Sequence, residues 1–187
     1  MTDEDARGYV RIVTNPERGL RAVRAPGALR GAVDYLDGVL ARDACPFMLF
    51  TLEENGYRAR TDGRPDMMQA KGSMYPRLSR ILADAILEFK DQSAPVDGRD
   101  PTVVLVSLPH PSNATEEAGH DAAAFHLRYR EAVFRQGLMF EIMHPYRGTS
   151  PFVAGTPFLT LRRMHRADAR FMDTEGAKRA YAQTFGL

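Results

Sequence analysis

Apolar residues recur at the spacing of an α-helix in four stretches of the chain. The clearest stretch is 76–90, in which Leu78, Ile81, Leu82, Ala85, Ile86 and Phe89 form one apolar stripe. The others are 26–42, 115–136 and the residues after Asp173 or Thr174, either of which can cap a helix. Gly137 suits the position after a helix at which φ is positive. The pattern therefore predicts at least four helices.

Short runs rich in β-branched and aromatic residues lie between these helices and predict the strands of a sheet. They are 45–52, 57–60, 102–108, 138–143 and 156–164. The run 102–108, TVVLVSL, is apolar on both faces, which is typical of a central strand covered on both sides. We expect the last two runs to pair with each other across the loop between them.

The alternation of helices and strands predicts the α/β (α+β) class. The expected architecture is a sandwich with a mixed four- to five-stranded sheet flanked by helices. Residues 1–25 are polar and arginine-rich, and we interpret them as a flexible leader in which residues 10–13 could form a short strand. Residues 26–187 are predicted to form a single domain, which agrees with the length of the chain.

Charge and composition narrow the classes of partner. The formal net charge is +1, so no strong field favours nucleic acid or an anionic membrane. No apolar segment approaches the length of a membrane span, and the N-terminus lacks the apolar run of a signal peptide. Cys45 is the single cysteine, so no intrachain disulfide can form. A cytoplasmic protein with a small-molecule substrate is the expectation.

His144 is the first candidate for chemistry, since common catalytic motifs such as a phosphate-binding glycine loop, HExxH or a nucleophile elbow are missing from the sequence. It ends an apolar strand immediately before Pro145, and strand ends that open into loops are where α/β sheets bind ligands. A neutral imidazole there could ligate a metal or a haem iron, or act as a base. The alternative is a capping histidine that hydrogen-bonds nearby backbone.

Arg162 and Asp168 are the candidate catalytic residues. Arg162 shares a strand face with Phe158 and Thr160, where an internal guanidinium could bind a carboxylate of a substrate or cofactor. The alternative is a structural salt bridge with Glu141 or Asp168. Strand alternation places Glu141 and His144 on opposite faces, which argues against one site that contains both. A buried Glu141 needs a partner, for which we predict Arg162 or Arg163.

Two further candidates are more ambiguous. His126 lies on the apolar stripe of the long helix near Tyr129, where it is either a satisfied core residue or part of a pocket wall. Cys45 precedes Pro46 at the start of a strand, where a buried, inert thiol is the favoured interpretation.

A set of short segments resembles a bacterial family of unknown function, often found in actinobacteria near natural-product genes. The segments are Cys45-Pro46-Phe47, Gly137-Leu138-Met139, His144-Pro145, and Pro157 with Leu161, Arg162, Met164, Asp168 and Phe171. The resemblance covers about residues 28–185. Where that family reads GLMxGxFHP, this chain reads GLMFEIMHP, so Glu141 replaces a glycine and Met143 a phenylalanine.

The same pattern is faintly similar to the YqcI/YcgG family of small haem proteins. That resemblance implies that His144 is the axial haem ligand and that Arg147 meets a propionate. It also implies that Cys45 and Phe47 line the pocket, with His126 and Tyr129 as a wall. The function implied is a haem-dependent oxygenase or hydroxylase that tailors a small amino-acid-like metabolite.

Two other classes of function stay open from the sequence. The chain could be a cofactor-free binding or scaffold protein of a biosynthetic pathway, with a homodimer as its expected assembly. It could also be a cofactor-free acid–base enzyme that uses His144 with Glu141 or Asp168.

Overall fold

The computed structural model describes residues 10–15, 19–22, 29–41, 51, 56–62, 74–90, 102–108, 115–144 and 157–187. Within them lie six strands: β1 (Val10–Asn15), β2 (Gly19–Ala22), β3 (Tyr57–Thr61), β4 (Val103–Ser107), β5 (Leu138–Met143) and β6 (Phe158–Arg163). The helices are α1 (Arg30–Ala41), α2 (Tyr75–Lys90), α3 (Glu116–Phe134), a 3-10 helix (Arg166–Phe171) and α4 (Glu175–Phe185). None of these helices is both long and apolar enough to cross a membrane.

The described strands form one mixed sheet in the order β2-β1-β3-β4-β6-β5. The β3–β4 pair is parallel, and the other pairs are antiparallel. The predicted α+β class, with a mixed sheet flanked by helices, is confirmed. Strands β3 to β6 correspond to predicted strands, and the pairing of β5 with β6 is as expected. Residues 10–15 and 19–22, which we interpreted as part of a flexible leader, form strands that extend the sheet.

Helices cover both faces of the sheet, because successive side chains of a strand point to opposite faces and both faces are apolar. The front face carries Val104, Val106, Phe140 and Leu161 and packs against α2 and α3. The back face packs against Leu29, which precedes α1, and against Ala32 and Leu36 of α1. Its buried residues are Ile12, Tyr57, Ala59, Val103, Leu105 and Phe158. Every residue of β4 is buried, as the TVVLVSL pattern predicts.

A third apolar cluster joins α4 to the C-terminal end of α3. Thr174 is the N-cap of α4, and its hydroxyl accepts a hydrogen bond from the Ala177 N–H at 3.1 Å. The same hydroxyl donates to Glu131 Oε1 on α3 at 2.6 Å. Arg130 Nη1 lies 3.0 Å from Asp173 Oδ2 beside this contact. The C-terminal helix is therefore held to α3 by packing and by polar contacts.

Gly137 ends the turn between α3 and β5 with φ at +69°. Replacing it with alanine is expected to lower the free energy of unfolding by about 1–2 kcal/mol, because a Cβ disfavours this backbone conformation. The new Cβ would lie 3.5 Å from Thr184 Cγ2, an ordinary contact, so backbone strain accounts for the loss. Urea denaturation measures it. Gly186→Ala has a similar φ one residue before the last position and should cost less, because only one residue follows it; an equal loss would contradict this explanation.

Candidate functional site

One end of the sheet gathers the carboxyl ends of three strands. The register pairs Thr61 with Ser107, Ser107 with Phe158, and Met143 with Phe158. Strands β3, β4 and β5 therefore finish where β6 begins, and we call this the Ser107 end. The opposite end, where Val103 pairs with Arg162, is the Val103 end. Ligands of open α/β sheets bind beyond the carboxyl ends of parallel strands, which here is the Ser107 end.

Helices α2 and α3 both begin at the Ser107 end. Each follows a strand that finishes there and leads to a strand that starts at the Val103 end. The Met74 N–H, just before α2, donates a hydrogen bond to Asp121 Oδ2 on α3 at 2.8 Å. A carboxylate in this position complements the partial positive charge of a helix N-terminus. The start of α2 and the second turn of α3 are thereby joined at this end of the sheet.

His144 is buried at this end, with 2% of its surface exposed. It follows β5 on the face of Leu138, Phe140 and Ile142, so it belongs to the front-face row, as alternation predicted. His144 also makes a polar or ring interaction within the protein. The histidine is thus positioned by the fold at a strand end.

Three further polar residues are buried at the Ser107 end. Asp62 follows β3, Ser107 ends β4, and Arg77 lies in the first turn of α2. The Asp62 N–H donates to the Ser107 carbonyl at 2.9 Å. Asp62 and His144 occupy the same front-face row on strands separated by β4 and β6, so their backbones lie about 14 Å apart. Carboxylate, guanidinium and imidazole groups therefore lie at this end on the side of the front face, and the Ser107 hydroxyl lies at the same end on the back face.

Sequence reasoning did not select Asp62, Arg77 or Ser107. A signal existed for Asp62, because it follows a predicted strand as His144 does. No sequence signal marks Arg77, since a single arginine beside an apolar stripe usually faces solvent. Its burial depends on the position of α2 over the front face.

Glu141 contacts a residue that we did not predict as its partner. Its Oε2 lies 3.4 Å from His126 Nε2 on α3. Arg162 stands opposite Met139 in the ladder, and Arg163 points to the front face and donates to the Phe89 carbonyl at 3.0 Å. The His126 contact is possible because β5 is the last strand of the described sheet, around which a glutamate side chain can reach α3.

His126 and Tyr129 lie away from His144. The His126 ring is 5.0 Å from the Phe140 ring, and Phe140 precedes His144 by four residues, which is about 13 Å along a strand. Tyr129 packs with Phe125 at 4.6 Å between ring centres. The structure therefore does not bring these two residues and His144 to one point.

Arg162 and Asp168 form an ion pair at the Val103 end. Both guanidinium–carboxylate distances are 2.7 Å, and Asp168 is completely buried. Asp168 Oδ2 also accepts a hydrogen bond from the His165 N–H at 2.7 Å, which caps the 3-10 helix. Of the two roles considered for Arg162, these contacts support the salt bridge. The pair and His144 lie at opposite ends of the sheet.

Cys45, Phe47 and Arg147 lie outside the described residues, as does the predicted strand 45–52 except Thr51. Among the residues that the structure describes, no three His, Cys, Asp or Glu side chains form a group that could hold a metal ion. Comparison of the chain with protein-family models, with curated proteins and with solved structures found no match.

Proposed function

We propose that the Ser107 end binds a small amino-acid-like metabolite and that the chain is a haem-dependent tailoring oxygenase with His144 as the axial ligand. The observation that carries the proposal is the buried imidazole of His144 at the end of β5. An imidazole is one of the ligands that proteins supply to haem iron, and His144 would be the residue that holds it. Leu108 and Ile142 of the front face supply apolar surroundings on the same face.

The chain's own polar residues would select and orient the ligand. The Arg77 guanidinium is suited to a carboxylate, and the beginnings of α2 and α3 also favour negative charge. Asp62 is suited to an ammonium or another cationic group. A bound haem would supply the activation of oxygen, and the protein supplies position and exclusion of water. We further propose a cytoplasmic location and a homodimer, as the sequence suggests.

The direct test is an absorption spectrum of the purified protein. Wild-type protein expressed with a haem precursor is expected to show a Soret absorption band, and His144→Ala should lose it. His120→Ala is the matched control, because His120 is an exposed histidine on α3. Circular dichroism checks that both variants fold. A wild-type protein that stays colourless, or an unchanged band in His144→Ala, would exclude this function.

The second candidate is a cofactor-free binding or scaffold protein. It is favoured by the interaction that His144 makes within the protein, as a capping histidine would. A colourless wild-type protein whose melting temperature rises with an amino acid would support this candidate. Asp62→Ala and Arg77→Ala should then abolish the rise, whereas His120→Ala should retain it.

A further inference from the structure

Helix α3 presents an exposed face on the side away from the sheet. Its buried residues Ala122, Phe125 and Val133 belong to the front-face core and define the inner side of the helix. Exposed residues recur on the opposite side at helical spacing. They are Glu117, His120, Ala124, Leu127, Arg128 and Arg135, and we call them the outer stripe. Leu127 is 63% exposed and the His120 side chain 77%, so the outer stripe is open to solvent.

Charge is divided along the outer stripe. Glu117, at the start of the helix, is acidic and exposed. Arg128 and Arg135, toward and just beyond its end, are basic and exposed. Ala124 and Leu127 lie between them and carry no charge. The stripe therefore has opposite charges at its two ends, with small and apolar side chains in the middle.

We propose that the outer stripe is the interface of a homodimer, in which two α3 helices pack antiparallel about a twofold axis near position 126. Residues 117 and 135 are equally far from position 126 along the chain. An axis there places Glu117 of each copy beside Arg135 of the other copy. The same axis brings the two Leu127 side chains close to each other. Each copy thus contributes the same surface, as a twofold interface requires.

The pattern of charge favours a second copy of this chain in the antiparallel direction. A parallel pair would place Glu117 against Glu117 and Arg135 against Arg135, and like charges in an interface repel. A partner of one sign of charge would be repelled at one end of the stripe. Helix α3 has 19 residues, which is about 28 Å, and one helix pair buries less than the standard ~800 Å² per partner. We therefore expect a weak dimer that is monomeric at the low concentrations of a denaturation experiment.

This inference rests on the homodimer proposed above but not on haem, since the outer stripe faces away from the sheet. Sedimentation equilibrium of wild-type protein at increasing concentration should show an average mass that rises toward twice the monomer mass. Glu117→Arg and Arg135→Glu should each raise the dissociation constant by about tenfold, because each places like charges together at two symmetric contacts. The double variant exchanges the two charges and should restore the dimer.

Glu175→Arg is the matched control, because it makes the same change of charge in the first turn of α4, away from the outer stripe. Its dissociation constant should equal that of wild type, and circular dichroism checks that every variant folds. A wild-type dimer that neither single variant weakens would overturn this interface while leaving the homodimer intact. A double variant as weak as the single variants would overturn the antiparallel pairing. A wild-type protein that stays monomeric would overturn both the homodimer and this interface, whereas the Soret band tests the haem function separately.

Discussion

Replacing Asp168 with alanine is expected to lower the free energy of unfolding by about 3–5 kcal/mol, the usual loss when one partner of a buried ion pair is removed. Asp168 is fully buried and receives both guanidinium donors of Arg162 at 2.7 Å. Its removal also leaves the His165 N–H without its acceptor. Because 22% of the Arg162 side chain is exposed, water can solvate part of the remaining charge. The loss should therefore lie near the lower end of the range.

Chemical denaturation measures this loss, and two controls make it specific. The double variant Arg162→Met with Asp168→Ala should lose less than the sum of the single variants, because the pair acts as a unit. Glu175→Ala removes a carboxylate whose pKa is lowered by the Lys178 hydrogen bond, but at a fully exposed position. Its denaturation midpoint should not change measurably. An equally small effect of Asp168→Ala would show that the buried pair contributes little.

The same variant also decides whether the pair has a catalytic role. About 13 Å of β6 separates Arg162 from the Ser107 end, from the spacing of residues along a strand. Folded Asp168→Ala protein should thus retain haem or ligand binding at His144 with wild-type affinity. A folded variant that loses binding would show that Arg162 and Asp168 contribute to the site.

Phe125→Ala is expected to destabilise the protein by about 3–5 kcal/mol, as large-to-small changes of buried aromatic residues usually do. Phe125 is fully buried near the middle of α3. It makes an edge contact with Tyr75 at 5.3 Å and another with Phe140 at 6.2 Å. It thus joins the beginning of α2 and the front face of β5 to α3. The cavity would be bordered by three separate elements, which limits how far it can collapse.

Thermal and chemical denaturation measure the effect of Phe125→Ala. Leu127→Ala is a matched control on the same helix, because Leu127 is 63% exposed and should change stability by no more than about 0.5 kcal/mol. Phe125→Leu should lose clearly less than the alanine variant, because it fills part of the cavity. Similar values for the alanine and leucine variants would contradict a cavity as the cause.

The periodicity of apolar residues predicted most of the described elements, because a segment adopts the secondary structure that places its apolar residues on one buried face. The stripe of 76–90 became α2, and the doubly apolar run 102–108 became the buried strand β4. A position that requires a particular backbone conformation was also predictable, since the glycine at 137 indicated the positive φ found there. For the N-terminal residues 10–15 and 19–22, polar composition pointed to a leader, whereas the pairing of β1 with β3 and of β2 with β1 placed them in the sheet.

For the candidate site, the sequence indicated His144 and the face it occupies, since a strand has a period of two. It predicted the β5–β6 pair but not the other neighbours of each strand. The register of that pair places Arg162 at the Val103 end. The strand order places Asp62 and Ser107 at the same end as His144. It also places β5 at the end of the described sheet, where Glu141 can reach His126.

The sequence by itself thus determined the four α-helices, the strands β3 to β6, the mixed α+β class and the position of His144 at a strand end. The tertiary structure alone decided which polar residues from separate elements meet, because partners such as Met74 and Asp121 or His126 and Glu141 depend on strand order and helix placement. Local periodicity determines the face on which a side chain lies. The residue that it meets there can come from another element of the chain.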